Sequence, residues 1–207
     1  MVEEQLVTRG IADQRVLEAM GSVPRHEFVP EGLISQAYND HPLNIGQRQT
    51  ISQPYIVALM TTALALRGDE KVLEVGTGSG YQTAVLAQLC RSVCSIERIA
   101  SLAINARQTL FRLGILNLSL KIGDGTLGWT EEAPFDRILV TAATPEVPPA
   151  LTGQMKEGGR LVIPLGNETS QELSLFFKAS KGLRRQSLGG CRFVKLIGEF
   201  GFPAHDH

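Results

Sequence analysis

The stretch VLEVGTGSGY at residues 72–81 decides how this chain folds. A short apolar run ends in three alternating glycines, Gly76, Gly78 and Gly80, and a second apolar run begins at Tyr81. This pattern predicts a buried strand, a tight turn and a helix. Glycine permits the turn and lets a ligand approach the backbone closely, and a helix N-terminus presents unpaired N–H donors. We therefore expect a nucleotide-type ligand at this loop. The alternative is that the glycines only allow the backbone conformation of the turn and bind no ligand.

Strand and helix signals alternate around this loop. Short apolar runs predict strands over Lys71–Val75, Val93–Glu97, Leu118–Ile122, Phe135–Thr141 and Arg160–Pro164. Helical segments over Tyr81–Leu89, Ile99–Leu113 and Pro149–Met155 separate them. Such alternation is typical of βαβ units, so the predicted fold class is α/β, with a doubly wound, mostly parallel sheet covered on both faces.

We expect one domain over residues 1–207, in three segments. Residues 1–68 form an N-terminal helical extension on the substrate side, with an amphipathic helix through Leu6 and Met20 that ends near Gly21. Residues 69–168 form the ligand-binding α/β core. Residues 169–207 form a C-terminal antiparallel hairpin and tail, with strands over Glu172–Ala179 and Arg192–Phe200 on either side of Lys181–Gly190.

The composition excludes several classes of protein. The net charge is -1 and the apolar fraction is 43%, which argues against a disordered chain and against a long basic surface for nucleic acid. The three cysteines, Cys90, Cys94 and Cys191, are too few and too scattered for a disulfide scaffold. The longest apolar run, Ile56–Leu66, is shorter than the ~20 residues that span a bilayer. We expect a soluble, cytoplasmic monomer with no membrane or nucleic-acid partner.

Two acidic residues indicate which nucleotide binds. Glu97 ends the second core strand, where a carboxylate can accept hydrogen bonds from ribose hydroxyls. Glu74 stands just before the glycines, where it would repel a phosphate but suit a cationic amino group. The G-x-G-x-G spacing differs from the dinucleotide fingerprint, and the chain contains no G-K-[ST] motif of a P-loop. S-adenosylmethionine carries a ribose and an ammonium group but no phosphate, so it is the predicted ligand.

Two further segments are consistent with binding of S-adenosylmethionine. Asp124 and Gly125 follow the third core strand, where Asp124 could accept a hydrogen bond from the adenine amino group. An ordinary Asp-Gly turn is the alternative reading. The strand that starts at Phe135 ends in the small residues Thr141-Ala142-Ala143, close to the expected reaction centre.

A second set of motifs lies upstream of the glycine loop. It comprises VPRHEFVP at 23–30, AYNDHPL at 37–43, Ile45-Gly46 and QTISQP at 49–54. With Val75–Leu86, Gly123–Gly128 and Gly158–Pro164, these segments resemble the protein-L-isoaspartate O-methyltransferases, within the class I S-adenosylmethionine-dependent methyltransferases. The resemblance runs from about residue 3 to residue 197. It implies a Rossmann-like methyltransferase fold, and methylation of the α-carboxylate of L-isoaspartyl residues, whose ester closes to a succinimide and starts repair.

The resemblance also implies roles for individual residues. Ser52 is the implied catalytic and substrate-binding residue, with no metal, and capping of the following helix is its alternative role. A carboxylate is already ionised at neutral pH, so the reaction needs no strong general base. S-adenosylhomocysteine would be the product. The predicted cofactor-binding residues, from the resemblance and the loop together, are Thr50, Ile51, Glu74, Gly76, Thr77, Gly78, Gly80, Glu97, Asp124 and Gly125.

The chain departs from the family pattern at two places. Arg48 stands where the family usually has glycine, and Ile197 stands where it tends to have threonine, so no role is assigned to Ile197. We hypothesise that Arg48 pairs with substrate carboxylates; a solvated surface arginine is the alternative. The basic cluster from Lys178 to Arg192 is expected to be a solvated turn, or else a weak attractor of acidic substrates.

Other functions stay open at this point. A class I methyltransferase acting on a small molecule or RNA would share the cofactor half of the pattern. A non-catalytic nucleotide-binding module would share it too, but would show no turnover. His205 and His207 could suggest a metal, but we expect them to be ordinary residues of the tail.

Overall fold

The computed structural model describes residues 1–204, so His205 and His207 lie outside the described residues. The five α-helices of this part are α1 Gln14–Ser22, α2 Pro54–Leu64, α3 Tyr81–Ala87, α4 Ala100–Arg112 and α5 Pro149–Gly153. Its nine strands are β1 Leu43–Gly46, β2 Gln49–Ile51, β3 Lys71–Val75, β4 Ser92–Glu97, β5 Leu118–Ile122, β6 Phe135–Val140, β7 Met155–Gly166, β8 Gln171–Ala179 and β9 Gly182–Cys191.

Seven of the strands form one sheet in the order β5-β4-β3-β6-β7-β8-β9. The pairings from β5 to β7 are parallel, and β8 and β9 add antiparallel strands at one edge. The strand order reverses at β3, and the crevice beyond the carboxyl ends of parallel strands at such a point is where open α/β sheets bind ligands. The predicted α/β fold class is confirmed.

Both faces of the sheet are covered. On one face Val72 packs with residues of α1 to α4, among them Tyr81 and Leu110. On the other face Leu73 and Val75 pack with Leu151 of α5 and with the C-terminal segment. Successive residues of a strand point to opposite faces, so the apolar side chains of β3 contribute to the cores on both sides of the sheet.

The N-terminal extension differs in detail from the prediction. The expected helix through Leu6 and Met20 is divided, because Gly10 adopts a left-handed φ of 89° and α1 begins only after Asp13. The Asp13 carboxylate caps α1 by accepting from the N–H groups of Arg15 and Val16. Further along, β1 and β2 form a small antiparallel hairpin that the sequence pattern did not indicate.

The C-terminal hairpin exists, but its predicted second strand was wrong. β9 covers Gly182–Cys191, so Lys181–Gly190 is mostly strand, and Arg192–Phe200 contributes only isolated bridges such as Ala143 with Lys195. β9 lies at the sheet edge and is mostly exposed, so it lacks the apolar alternation that marks a half-buried strand. The basic cluster is not one solvated turn, because only Lys181 lies in the turn between β8 and β9. Lys178 lies on β8 and donates to the Met155 carbonyl oxygen at 2.7 Å, and Arg185 lies on the edge strand β9, where it pairs with Glu172 at 2.6 Å.

Candidate active site

A cavity opens beyond the carboxyl ends of the central strands. Its walls come from separate parts of the chain: the β2 segment, the loop after β3, the end of β4, the loop after β5, the end of β6 and the C-terminal segment. Parallel strands direct all of their carboxyl ends to one edge, which is why distant residues meet here. The wall includes Thr50, Ile51, Ser52, Gly76, Thr77, Gly78, Glu97, Ile99, Gly125, Thr141, Ala142, Lys195, Leu196 and Ile197.

The glycines after β3 shape the floor of the cavity. Gly76 has a left-handed φ of 96°, and a Cβ at this position would collide with the Thr141 hydroxyl. That hydroxyl donates to the Gly76 carbonyl oxygen at 2.7 Å. Gly80 does not line the cavity but packs against α4, since a Cβ there would lie 3.2 Å from Leu110. Two glycines of the motif, Gly76 and Gly78, thus face the ligand space, and the third serves helix packing.

Glu97 lies in the cavity wall, where the sequence predicted a ribose-binding acid. Its Oε2 accepts from the Gly78 N–H and its Oε1 from the Ile99 N–H, each at 2.9 Å. The side chain is buried, and each carboxylate oxygen has a second lone pair. The carboxylate can therefore hold the loop and still accept from a hydroxyl group in the cavity.

The structure does not bring Glu74 to the cavity wall. The side chain is fully buried on the α3 side of β3, where its Oε2 accepts from Ser95 at 2.6 Å and from Thr83 at 2.5 Å. Among the described residues, its Oε1 has no hydrogen-bond partner. Burial raises the pKa of Glu74 to about 7. Glu74 therefore lies too deep to contact a ligand amino group directly. It is linked to the loop through Ser95, whose hydroxyl also shares a hydrogen bond with Thr77 at 2.6 Å.

Asp124 also lies outside the cavity wall, whereas its neighbour Gly125 lines it. The Oδ1 of Asp124 accepts from the N–H and the hydroxyl of Thr126, and its Oδ2 accepts from the Glu199 N–H at 2.8 Å. These contacts fit the Asp-Gly turn reading, but Oδ2 keeps a second lone pair, so the contact with an adenine amino group stays a prediction. They also tie the C-terminal segment to the loop after β5, which holds that segment beside the cavity.

Ser52 lies in the wall opposite the glycine loop and is not the cap of α2. Gln53 occupies the N-cap position, with no side-chain cap from it, and Asp40 instead accepts from the Tyr55 N–H at 3.2 Å. The carbonyl oxygen of Ser52 accepts from Arg25, but no hydrogen bond among residues 1–204 engages the Ser52 hydroxyl. The capping alternative is therefore wrong, and the hydroxyl is available to a substrate.

Arg48 is exposed at the tip of the β1–β2 hairpin and does not line the cavity. Gln47 and Arg48 have φ values of 53° and 57°, both in the left-handed region that glycine favours. The hairpin lies over the loop after β3, because a Cβ on Gly78 would lie 3.6 Å from Ile45. Arg48 therefore stands outside the cavity, on the element that covers its edge.

Four residues that contribute to the site were not predicted from the sequence. Lys195 and Ile99 line the cavity, and Arg25 and Asp40 hold the Ser52 segment, yet none of them received a role from the pattern. The motifs 23–30 and 37–43 contain the last two, which was the available signal. Within residues 1–204, no cluster of three or more His, Cys, Asp or Glu side chains could hold a metal ion, and no helix could cross a bilayer.

Comparison with known proteins agrees with this site. Residues 1–201 match the family model described as protein-L-isoaspartate(D-aspartate) O-methyltransferase. Protein-L-isoaspartate O-methyltransferase 1 of Syntrophobacter fumaroxidans is 60% identical, over 98% of this chain and 94% of its own length. A protein-L-isoaspartate O-methyltransferase of Geobacter metallireducens is 58% identical, over 100% of this chain and 96% of its own length.

Solved structures agree as well. A protein-L-isoaspartate O-methyltransferase superposes with a TM-score of 0.87 at 32% identity, over 97% of this chain and 67% of that chain. A Plasmodium falciparum structure described as a protein-L-isoaspartate O-methyltransferase, in complex with S-adenosyl-L-homocysteine, gives a TM-score of 0.82 at 27% identity, over 95% of this chain and 96% of that chain. The predicted resemblance is confirmed, and the chain belongs to the protein-L-isoaspartate(D-aspartate) O-methyltransferase family.

Proposed function

We propose that this protein transfers a methyl group from S-adenosylmethionine to the α-carboxylate of L-isoaspartyl residues in damaged proteins and peptides. The observation that carries the proposal is the cavity itself: the family-specific segment Thr50–Ser52 forms one wall and the glycine loop after β3 forms the other. Family membership supports the same activity. A class I enzyme acting on a small molecule or RNA would share the glycine-loop wall but not this family-specific segment, so the arrangement favours the isoaspartyl substrate.

The residues of the cavity suit S-adenosylmethionine. Glu97 offers carboxylate lone pairs for the ribose hydroxyls, and Gly76 and Gly78 let the ligand lie against the backbone. At Gly125 a Cβ would collide with Val75, so glycine keeps this part of the wall close to the strand end. Thr50, Ile51 and Thr77 complete the proposed cofactor contacts. We assign supporting roles, without ligand contact, to Glu74 and Gly80, and we keep Asp124 as a cofactor contact through the adenine amino group.

Methyl transfer to a carboxylate depends on in-line alignment of the acceptor oxygen, the methyl carbon and the sulfur more than on acid–base catalysis. When bound, S-adenosylmethionine supplies an electrophilic methyl group on a sulfonium sulfur. The acceptor carboxylate is ionised at neutral pH, so no residue has to remove a proton from it. The Ser52 hydroxyl donates to one carboxylate oxygen and orients the other toward the methyl group. Ile51 and Ile197 contribute apolar wall that keeps water from the acceptor.

The proposal extends to partners and location. Isoaspartyl-containing proteins and peptides are the substrates, and the isoaspartyl linkage enters the cavity with its neighbouring residues, so flexible segments are preferred. The protein acts as a cytoplasmic monomer, as one domain, with no nucleic-acid or membrane partner. Arg48, at the tip of the hairpin, attracts carboxylates of the approaching peptide.

Paired peptides that differ only in isoaspartate or aspartate test the function. We expect methyl ester on the isoaspartyl peptide alone in the presence of S-adenosylmethionine. Binding of S-adenosylhomocysteine without labelling of either peptide would instead indicate a non-catalytic module. The Ser52→Ala variant is expected to lower kcat while leaving the affinity for S-adenosylhomocysteine within about twofold, because the lost hydroxyl acts on the acceptor. Ser35→Ala, at an exposed position, is the matched control.

A further inference from the structure

An arginine lies directly behind the wall that carries Ser52. Arg25 begins a short 3₁₀ turn, Arg25–Phe28, and its side chain is fully buried, with 0% of its surface exposed. Arginine is seldom buried completely, because removing its charge from water is costly unless it is well paired. The contacts of this side chain therefore indicate what it does.

The guanidinium group joins three parts of the chain. Its Nε donates to the Ala37 carbonyl oxygen and its Nη2 donates to the Ser52 carbonyl oxygen, each at 2.7 Å. Its Cζ lies 4.7 Å from the centre of the Tyr81 ring, in a cation–π contact. Two of these three partners, Ser52 and Tyr81, line the cavity. Arg25 thus contacts the cavity wall from behind without reaching into the cavity.

Arg25 has no carboxylate partner among the salt bridges of the described residues. Asp40 exerts an electrostatic effect on Arg25, but its carboxylate pairs with Arg9 at 2.6 Å. The Nη1 of Arg25 has no hydrogen-bond partner within residues 1–204. An apolar side chain would fill this space without the cost of burying a charge. What the guanidinium adds is a planar, rigid pair of donors that fixes two carbonyl groups relative to an aromatic ring.

Asp40 holds the same segment from the other side. Its Oδ2 accepts from the Gln53 side-chain amide at 2.7 Å, and its Oδ1 accepts from the Tyr55 N–H. The peptide at Ser52 is therefore anchored by Arg25, and the residues after it are anchored by Asp40. Because both anchors bind backbone or neighbouring groups, neither engages the Ser52 hydroxyl, which has no hydrogen-bond partner among residues 1–204.

We propose that Arg25 is a positioning residue for methyl transfer: it fixes the peptide of Ser52 and thereby orients the Ser52 hydroxyl toward the acceptor carboxylate. The proposal rests on the proposed function. Arg25 acts through Ser52 and touches neither substrate nor cofactor. A misplacement of about 1 Å in such a contact can lower a rate by about 100-fold, so loss of the anchor should appear in kcat.

The test compares Arg25→Lys and Arg25→Met with a matched arginine elsewhere. Lysine keeps the charge but cannot bridge two carbonyl groups in a fixed plane, and methionine keeps only the volume. Arg15 is the control, since it also bridges two backbone carbonyls, Leu66 at 2.8 Å and Leu89 at 3.1 Å, and does not line the cavity. For each variant we would measure kcat and KM for an isoaspartyl peptide, the Kd for S-adenosylhomocysteine and the Tm.

We expect kcat to fall about tenfold in Arg25→Lys and about 100-fold in Arg25→Met, with the Kd for S-adenosylhomocysteine within about threefold. Arg15→Lys should lower the Tm but leave kcat within about twofold. In a Ser52→Ala background, Arg25→Lys should cause no further loss of kcat, because residues that act as one unit are not additive.

Three results would overturn the inference. They are an unchanged kcat in Arg25→Lys, a parallel loss of cofactor affinity and kcat, and a full additional loss in the Ser52→Ala background. If Arg25→Met does not fold, Arg25→Lys decides the question. Absence of any isoaspartyl methylation by the wild-type protein is a separate outcome, which contradicts the proposed function and the inference that rests on it.

Discussion

The carboxylate of Glu97 accepts a hydrogen bond from the backbone N–H of Gly78, with 2.9 Å between Oε2 and the nitrogen. The end of β4 is thus tied to the loop after β3, and the second carboxylate oxygen is tied to Ile99. One buried side chain therefore shapes the glycine loop and also faces the ligand space. A change at Glu97 should therefore affect both the loop and the proposed cofactor site.

Replacement of Glu97 by glutamine should weaken cofactor binding. The amide keeps one acceptor oxygen but turns an NH2 group toward one of the two backbone N–H donors. Hydrogen bonds to a charged group contribute about 1.5–3 kcal/mol, so the affinity for S-adenosylhomocysteine should fall at least tenfold in titration calorimetry. Glu146→Gln, at an exposed position, is the control. An unchanged affinity would contradict the assigned role of Glu97.

Glu74 should make the stability of the protein depend on pH. Burial raises its pKa to about 7 from 4.5, against the effect of the hydrogen bonds from Ser95 and Thr83. The folded state therefore holds a proton between about pH 4.5 and 7 that the unfolded state has released. The contribution of this carboxyl group to the free energy of unfolding is fully present below the pKa of the unfolded state and is lost as the pH rises toward 7.

The Glu74→Gln variant isolates this effect. A shift of this size corresponds to about 3 kcal/mol, so the variant should gain roughly that much unfolding free energy relative to wild type between pH 4 and pH 8. Urea unfolding of both proteins across this range measures the difference, in which the titration of all other groups cancels. A difference that does not change with pH would mean that folding does not raise the pKa of Glu74.

Arg48→Gly should stabilise the hairpin and weaken substrate binding. The left-handed φ of 57° is strained for arginine and not for glycine, so we expect a gain of about 0.5–1 kcal/mol in unfolding free energy. If Arg48 attracts substrate carboxylates, KM for an isoaspartyl peptide should rise several-fold, and less so at high salt.

Gln47→Gly is the matched control, because Gln47 shares the strained conformation, with a φ of 53°, but carries no charge. It should give the gain in stability without the change in KM. An unchanged KM in Arg48→Gly would support the alternative, a solvated surface arginine with no part in binding.

Gly125→Ala should damage the cavity, whereas Gly123→Ala should not. A Cβ on Gly125 would collide with the buried Val75 side chain, while a Cβ on Gly123 would have only Lys121 near it, at 4.0 Å. Overpacking of this kind costs about 1–3 kcal/mol. We expect a lower Tm and weaker S-adenosylhomocysteine binding for Gly125→Ala alone. Equal behaviour of the two variants would exclude a steric role for Gly125.

The bounds of two strands of the parallel sheet were predicted correctly, for different reasons. β3, Lys71–Val75, is covered on both faces, and four of its five residues are buried. β5, Leu118–Ile122, is an edge strand without a buried residue, but its Leu118, Leu120 and Ile122 alternate with polar residues. β9 was misplaced because an exposed edge strand forms through backbone pairing with β8, which leaves little apolar pattern to read. The β1–β2 hairpin was missed for a related reason, since its turn holds Gln47 and Arg48 rather than glycine.

The sequence by itself determined the α/β fold and the family, because apolar periodicity, glycine spacing and short motifs are properties of neighbouring residues. The meeting of the Ser52 segment with the glycine loop was implied only by the family resemblance. Only the tertiary structure decided which polar groups face the cavity. Glu97 is the last residue of β4 and Glu74 is the second-last residue of β3. Glu97 lines the cavity, whereas Glu74 is fully buried outside the cavity wall. A side chain's direction depends on what packs against it from distant segments, as Arg25 and Asp40 do around Ser52. No local pattern encodes those contacts.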